Sequence, residues 1–112
     1  MADTHSKIMR QVQLDWSREN RGRLFPNQIG IARQGKAIIK YGLQKGSSDL
    51  IGWETWCEGQ AIFTCVEVKT IASPKLSKQQ IDWLNAVVTA GGRAYVAREY
   101  EHYYKLEEWK VK

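Results

Sequence analysis

Over residues 4–20 the apolar side chains Ile8, Met9, Val12 and Trp16 recur at helical spacing, with Lys7, Arg10, Gln11, Asp15 and Arg18 elsewhere on the wheel. The pattern predicts an amphipathic first helix that stops at Gly22. From Leu24 to Ala32, turn residues break short extended pieces. Residues 37–41 read either as a short strand or as part of an irregular connection. A small polar run, Gly46-Ser47-Ser48, then leads into a strand over residues 49–53. Residues 54–60 look turn-like. Residues 61–69, rich in β-branched and aromatic side chains, form the clearest strand pattern in the chain, and these two strands are expected to pair as a hairpin.

Beyond a loop containing Pro74, Ser77 opens a second helix whose Ile81, Leu84, Val87 and Val88 make an apolar stripe, ended by Gly91-Gly92. Residues 94–98 read as a further short strand. The C-terminal stretch alternates acids, aromatics and lysines around Leu106 and Trp109, which fits a terminal helix or a strand with turns. There is no linker, internal repeat or low-complexity tract. Helix, strands, helix and strand in that order predict a single α/β domain over residues 1–112, with a central mixed sheet flanked by helices. Trp16, Phe63 and Trp83 are expected in its core.

Composition narrows the class. An apolar fraction of 43% with five tryptophans in 112 residues can bury a core, so disorder is excluded. No window approaches the roughly 18 consecutive apolar residues of a membrane span. The first seven residues lack the apolar stretch of a secretion signal, so the chain is expected to be soluble and intracellular, and Cys57 and Cys65 to be reduced thiols. Lys and Arg outnumber Asp and Glu by 17 to 12, a net charge of +5. That excess favours a polyanion such as nucleic acid as partner.

The candidate chemistry lies at the end of the clearest strand. Side-chain alternation puts Phe63, Cys65, Glu67 and Lys69 on one face and Ile62, Thr64, Val66 and Val68 on the other. Glu67 and Lys69 then sit about 7 Å apart along the strand. Alone they could be a solvated ion pair of little consequence. Asp49, opening the paired strand, changes that reading, because a hairpin brings it beside the Glu67 end. Two carboxylates and an ammonium suit metal-assisted phosphodiester hydrolysis: Asp49 and Glu67 as hard oxygen ligands for Mg²⁺ or Mn²⁺, the backbone carbonyl of Val68 as a third oxygen, and Lys69 as a cation for the attacking water or for developing phosphorane charge.

Asp49 followed by Glu67-Val68-Lys69 resembles the D…(D/E)xK signature of the PD-(D/E)xK nuclease superfamily. The four segments Gly46-Ser47-Ser48-Asp49-Leu50-Ile51-Gly52, Glu67-Val68-Lys69-Thr70, Leu76-Ser77-Lys78-Gln79-Gln80 and Gly91-Gly92-Arg93-Ala94-Tyr95-Val96 resemble, in order and spacing, its virus-type replication-repair nuclease (VRR-NUC) branch. The resemblance implies a restriction-endonuclease-like core, metal binding by Asp49 and Glu67, a catalytic Lys69 and a site role for Gln80. Gln80 has a second explanation, since Ser77-Lys78-Gln79-Gln80 is a capping box; a register one residue off would put Gln79 in its place. Family members usually carry a glutamate on the first helix. Here no glutamate precedes Glu19, itself read as solvated, and Gln11 is the neutral candidate for that metal-shell position.

Around this site, Arg33, Lys36, Lys40 and Lys45 on one side, and Lys75 and Lys78 at the second helix start, are candidate DNA-phosphate contacts. Trp53, Trp56 and the Tyr100, Tyr103, Tyr104 group could bind bases or a second subunit. His5, in a terminal segment, and His102, in a polar aromatic one, have no partner at metal-ligand spacing. The resemblance implies a structure-selective DNA endonuclease of viral or bacterial type, leaving 5′-phosphate and 3′-hydroxyl ends. A four-way junction needs two symmetric cuts, so a homodimeric Holliday-junction resolvase is expected. The alternatives are a nickase or flap nuclease of the same fold, or a basic nucleic-acid-binding module without chemistry.

Overall fold

Asp3 starts the first helix, α1 (Thr4–Arg18), by accepting the Ser6 N–H at 2.7 Å, which satisfies one of the donors a helix start leaves open. The computed structural model describes residues 3–112. Ile8, Val12 and Trp16 are buried on one stripe of α1, with Met9 packed beside them. The helix stops before the glycine expected to end it. Asn20 takes a left-handed φ of 56°, and the N–H groups of Glu19, Asn20 and Arg21 return to the carbonyls of Asp15, Ser17 and Trp16. Gly22 instead opens β1 (Gly22–Pro26), where a Cβ would collide with the Trp53 carbonyl of the neighbouring strand.

The ambiguous segment at 37–41 is a strand. Here β2 (Gly30–Gln34) and β3 (Ala37–Tyr41) pair antiparallel as a two-stranded ribbon separate from the main sheet. Its register pairs Ile31 with Lys40 and Arg33 with Ile38, so one face carries two cations; Ala32, Ile39 and Tyr41 share the other, uncharged face.

The main sheet has the order β1-β4-β5-β6-β7, built with β4 (Leu50–Trp56), β5 (Gln60–Lys69), β6 (Arg93–Tyr100) and β7 (Tyr103–Glu108). Only the β5–β6 pair is parallel, joined through α2 (Lys78–Thr89), so the sheet is mixed and the fold is α/β as expected. The β4–β5 hairpin forms, but its turn is shorter than the sequence suggested. Trp53, Thr55 and Trp56 keep β4 extended, Thr55 N–H bonds to Arg21 O, and only Cys57–Gly59 turn. The C-terminal stretch resolves as β7 because Tyr104 and Leu106 are half-buried between exposed neighbours, a period of two.

The faces of the sheet carry separate cores. Val66 and Val68 of β5 join Leu24, Leu50, Tyr95 and Ala97 beneath α1; Cys65 joins Leu84, Val87, Ala94, Val96 and Trp109 on the α2 side. Trp16 is buried as expected and Trp83 is half-buried against the second core. Phe63 is not in the core; it is 46% exposed. The chain leaves α2 by Gly92, whose backbone lies against the Phe63 carbonyl, so the helix ends level with that residue and does not cover it. Both cysteines are free thiols, and burial pushes the Cys65 thiol up to about 11. Among the described residues no helix is long and apolar enough to cross a membrane.

Candidate active site

The small run before Asp49 is small because it is packed from two sides. Gly46 has a φ of 94°, and a Cβ there would lie 2.7 Å from Gln79 Cβ, so only glycine lets this loop rest on the start of α2. Ser47 and Ser48 are buried. From the β1 side, the Asn27 side-chain amide donates to Ser47 Oγ (2.8 Å) and to the Ser48 carbonyl (2.9 Å), while Asn27 N–H donates to Asp49 O (2.8 Å). Asn27→Ala is expected to lower stability by about 1–3 kcal/mol in urea unfolding, because it strands buried acceptors. Unchanged stability would show that the loop is held by Gly46 and α2 alone.

This loop delivers Asp49 to β5. Asp49 Oδ2 accepts the Val68 N–H at 2.8 Å and lies 3.2 Å from His5 Nε2, which donates in its Nε2–H tautomer. Glu67, 3% exposed, points from β5 toward α2. There Gln80 Nε2 donates to Glu67 Oε2 at 3.1 Å, while Gln80 Oε1 accepts the Ser77 N–H at 2.8 Å and Ser77 Oγ accepts the Gln80 N–H at 3.1 Å. The two readings of Gln80 are therefore one arrangement: capping the helix fixes one end of the amide and aims the other at Glu67. Gln79 packs against Gly46 instead. Lys69 Nζ stands 4.0 Å from Glu67 Oε2 with its side chain only 11% exposed.

Burial, and then the Asp49 charge beside it, push the Glu67 carboxyl far above its ordinary value of 4.5; the nearby Lys69 ammonium pulls the other way and does not offset them. The Asp49 side chain and the Asp49 N–H both lie within hydrogen-bonding reach of the Glu67 carboxyl; the side-chain contact favours its protonated form, the N–H its anion. Two adjoining carboxyl groups, one of them disfavoured as an anion by its surroundings, are a hard donor set of the kind that suits a divalent cation.

His5 and Asn27 were not recognisable as site residues from the sequence. His5 is not in a loose terminus: it lies in the first turn of α1, three residues before Ile8 and seven before Val12, so it continues the buried stripe toward Asp49. Gln11 lies off this stripe. Its amide donates to Asp15 Oδ1 at 2.9 Å, and it lines a cavity beside β6 and β7, so the structure does not bring Gln11 to the Asp49–Glu67 pair. Glu19 is exposed just beyond α1. Arg33, Lys36 and Lys40 are exposed on the β2–β3 ribbon, and Lys45 is exposed between the ribbon and Gly46. Lys75 is exposed ahead of α2; Lys78, its first residue, pairs with Asp82 at 2.9 Å.

No curated protein matches the chain. The family model for the VRR-NUC domain matches residues 3–99, a span that begins at the cap of α1, contains Asp49, Glu67, Lys69 and Gln80, and ends within β6. By that match the chain belongs to the VRR-NUC domain family, a family of nucleases.

Proposed function

We propose that the chain is a divalent-metal-dependent endonuclease that cuts branched DNA and acts as a homodimer on four-way (Holliday) junctions. The observation that supports this reading best is the meeting of half-buried Asp49 with buried Glu67 and the nearly buried Lys69 side chain, with Gln80 holding Glu67. Binding without chemistry would not need two like charges beside a phosphate. Asp49, Glu67 and the Val68 carbonyl would hold Mg²⁺ or Mn²⁺, which supplies a Lewis acid and water of lowered pKa.

The chain's own groups do the rest. His5 and the Val68 N–H fix Asp49 through one oxygen. Gln80 orients Glu67 in the same way. The Lys69 ammonium, nearly dehydrated, stabilises negative charge building on the phosphate oxygens during inline attack. Arg33, Lys36, Lys40 and Lys45 grip backbone phosphates from one side, and Lys75 and Lys78 from the other. No base-reading element is needed for recognition by shape. For the second subunit, Phe25, Trp53 and Phe63 offer an uncovered aromatic patch on the sheet, 51%, 37% and 46% exposed.

A labelled four-way junction and a linear duplex, each incubated with the protein in Mg²⁺, in Mn²⁺ and in chelator, test the reading. Paired, metal-dependent cuts in the junction with little cutting of the duplex are the expected result. Cutting of flaps or nicking of duplex alone would keep the enzyme and remove the junction; binding without cleavage under either metal would leave only a DNA-binding module. Light scattering should give a dimer, and a monomer at micromolar concentration would count against paired cutting.

A further inference from the structure

On the side of α1 facing β6 and β7 lies a cavity of about 470 Å³, a size within the about 300–1,000 Å³ of small-ligand clefts. We infer that it is a subsite for one unpaired DNA nucleotide, its base stacked on Tyr103 and its phosphate held by Lys7 and Arg10. The inference rests on the reading of the chain as a protein acting on DNA, and it names the feature of a branched substrate that the chain detects.

Tyr103 is a prepared stacking platform. One face of its ring is backed by Tyr104, with centroids 4.7 Å apart and planes 26° from parallel. Both hydroxyls donate to Asp15 Oδ2, that of Tyr104 at 2.7 Å, so neither ring turns freely. Tyr103 nevertheless remains 48% exposed. An exposed aromatic ring held rigid loses little entropy when a base lies on it, and every base has a face to offer.

The groove's charges suit a phosphate. Among the described residues neither Lys7 nor Arg10 has a carboxylate within ion-pair distance. Glu99 on the groove wall and Asp15 beside it keep their negative charge but are turned to other donors, Glu99 Oε1 to the Ile71 N–H at 2.9 Å and Asp15 to Gln11 and both tyrosines, so the two cations are left unpaired. The β6–β7 turn is unusual as well. Glu101 and His102 take left-handed φ values of 46° and 65° in a two-residue turn that ordinarily calls for Asn-Gly, and this strained backbone places His102 on the groove rim.

Position ties the groove to the cut. Thr4 lines it, and the next residue, His5, touches Asp49. A strand passing the carboxylates can therefore turn aside along α1, but only where it is unpaired, as at a junction, flap or nick. The groove would thus select branched DNA without reading sequence.

The test uses fluorescence anisotropy in chelator with a short labelled oligothymidylate, and a linear duplex as control. Tyr103→Leu is expected to weaken oligothymidylate binding about tenfold and leave duplex binding unchanged. Tyr103→Phe, which keeps the ring and its stacking on Tyr104 but loses the hydroxyl bond to Asp15, should fall between Tyr103→Leu and the wild type. Lys7→Ala with Arg10→Ala should flatten the salt dependence by about 0.7 log units per log unit of salt, the release expected for one single-strand phosphate contact. Wild-type oligothymidylate binding by Tyr103→Leu, or equal loss on both DNAs, overturns the inference. Cleavage is scored separately: Tyr103-dependent binding without any cleavage would defeat the enzymatic reading alone, and cleavage with Tyr103-independent binding would defeat this subsite alone.

Discussion

Glu67→Gln is expected to lower metal-dependent DNA cleavage by about a thousandfold or more, the rate equivalent of the several kcal/mol a metal contributes to a transition state, while the metal-free protein becomes more stable. The two effects share one cause. Glu67 is buried beside Asp49, and its anion is disfavoured there unless a cation arrives. Glutamine keeps the shape and can still pair with Gln80, but it is neutral without taking up a proton and it removes a metal ligand. A gain of about 1–2 kcal/mol is expected, within the range seen when poorly compensated buried charge is replaced.

The pH dependence follows with a definite sign. The folded carboxyl has a raised pKa, so between 4.5 and that raised value the native state holds a proton the unfolded chain has released. In chelator the contribution of Glu67 to stability is therefore complete below 4.5 and declines as pH rises. Thermal melts of the wild type and of Glu67→Gln across this range should diverge upward in pH, with the variant more stable. Added Mg²⁺ or Mn²⁺ should stabilise the wild type most at the alkaline end, where the carboxylate is ready to bind. Parallel melting curves without and with metal would mean that the pair is not a cation site.

What could be read from the chain were the features whose causes are local. Two-residue alternation placed Glu67 and Lys69 on one face of β5, a hairpin brought Asp49 to their end, and Ser77-x-x-Gln80 carried its helix start in its own chemistry. The contacts that complete the site are long-range. His5 meets Asp49 across 44 positions, and Asn27 reaches the serine loop across some 20, so neither partner is marked in its own neighbourhood. Phe63 fits the apolar pattern of a core strand, yet its cover depends on where α2 ends. Gln11 is the polar residue on α1 where the family pattern places a glutamate; rotation of the helix, set by Ile8, Val12 and Trp16, carries it to Asp15 instead.

Lys69→Met supplies the opposite half of the argument. Methionine preserves most of the buried stem and deletes the ammonium 4.0 Å from Glu67. Cleavage is expected to fall about 10²–10³-fold, as when one preorganised electrostatic donor is removed, with DNA affinity little changed. Lys69→Arg, which keeps the charge on a different geometry, should recover part of the rate. In chelator at the alkaline end, where Glu67 is an anion, Lys69→Met should be less stable than the wild type, since Glu67 and Asp49 lose the one cation among the described residues that faces Glu67 within ion-pair distance. Glu67→Gln and Lys69→Met thus change metal-free stability in opposite directions and cleavage in the same one. Unfolding cannot produce that combination, whereas removal of two parts of one phosphodiester-cleaving centre does. If Lys69→Met cleaves at the wild-type rate, the ammonium is only a counter-ion for the buried acids, and the chemistry must be carried by the carboxylates without it.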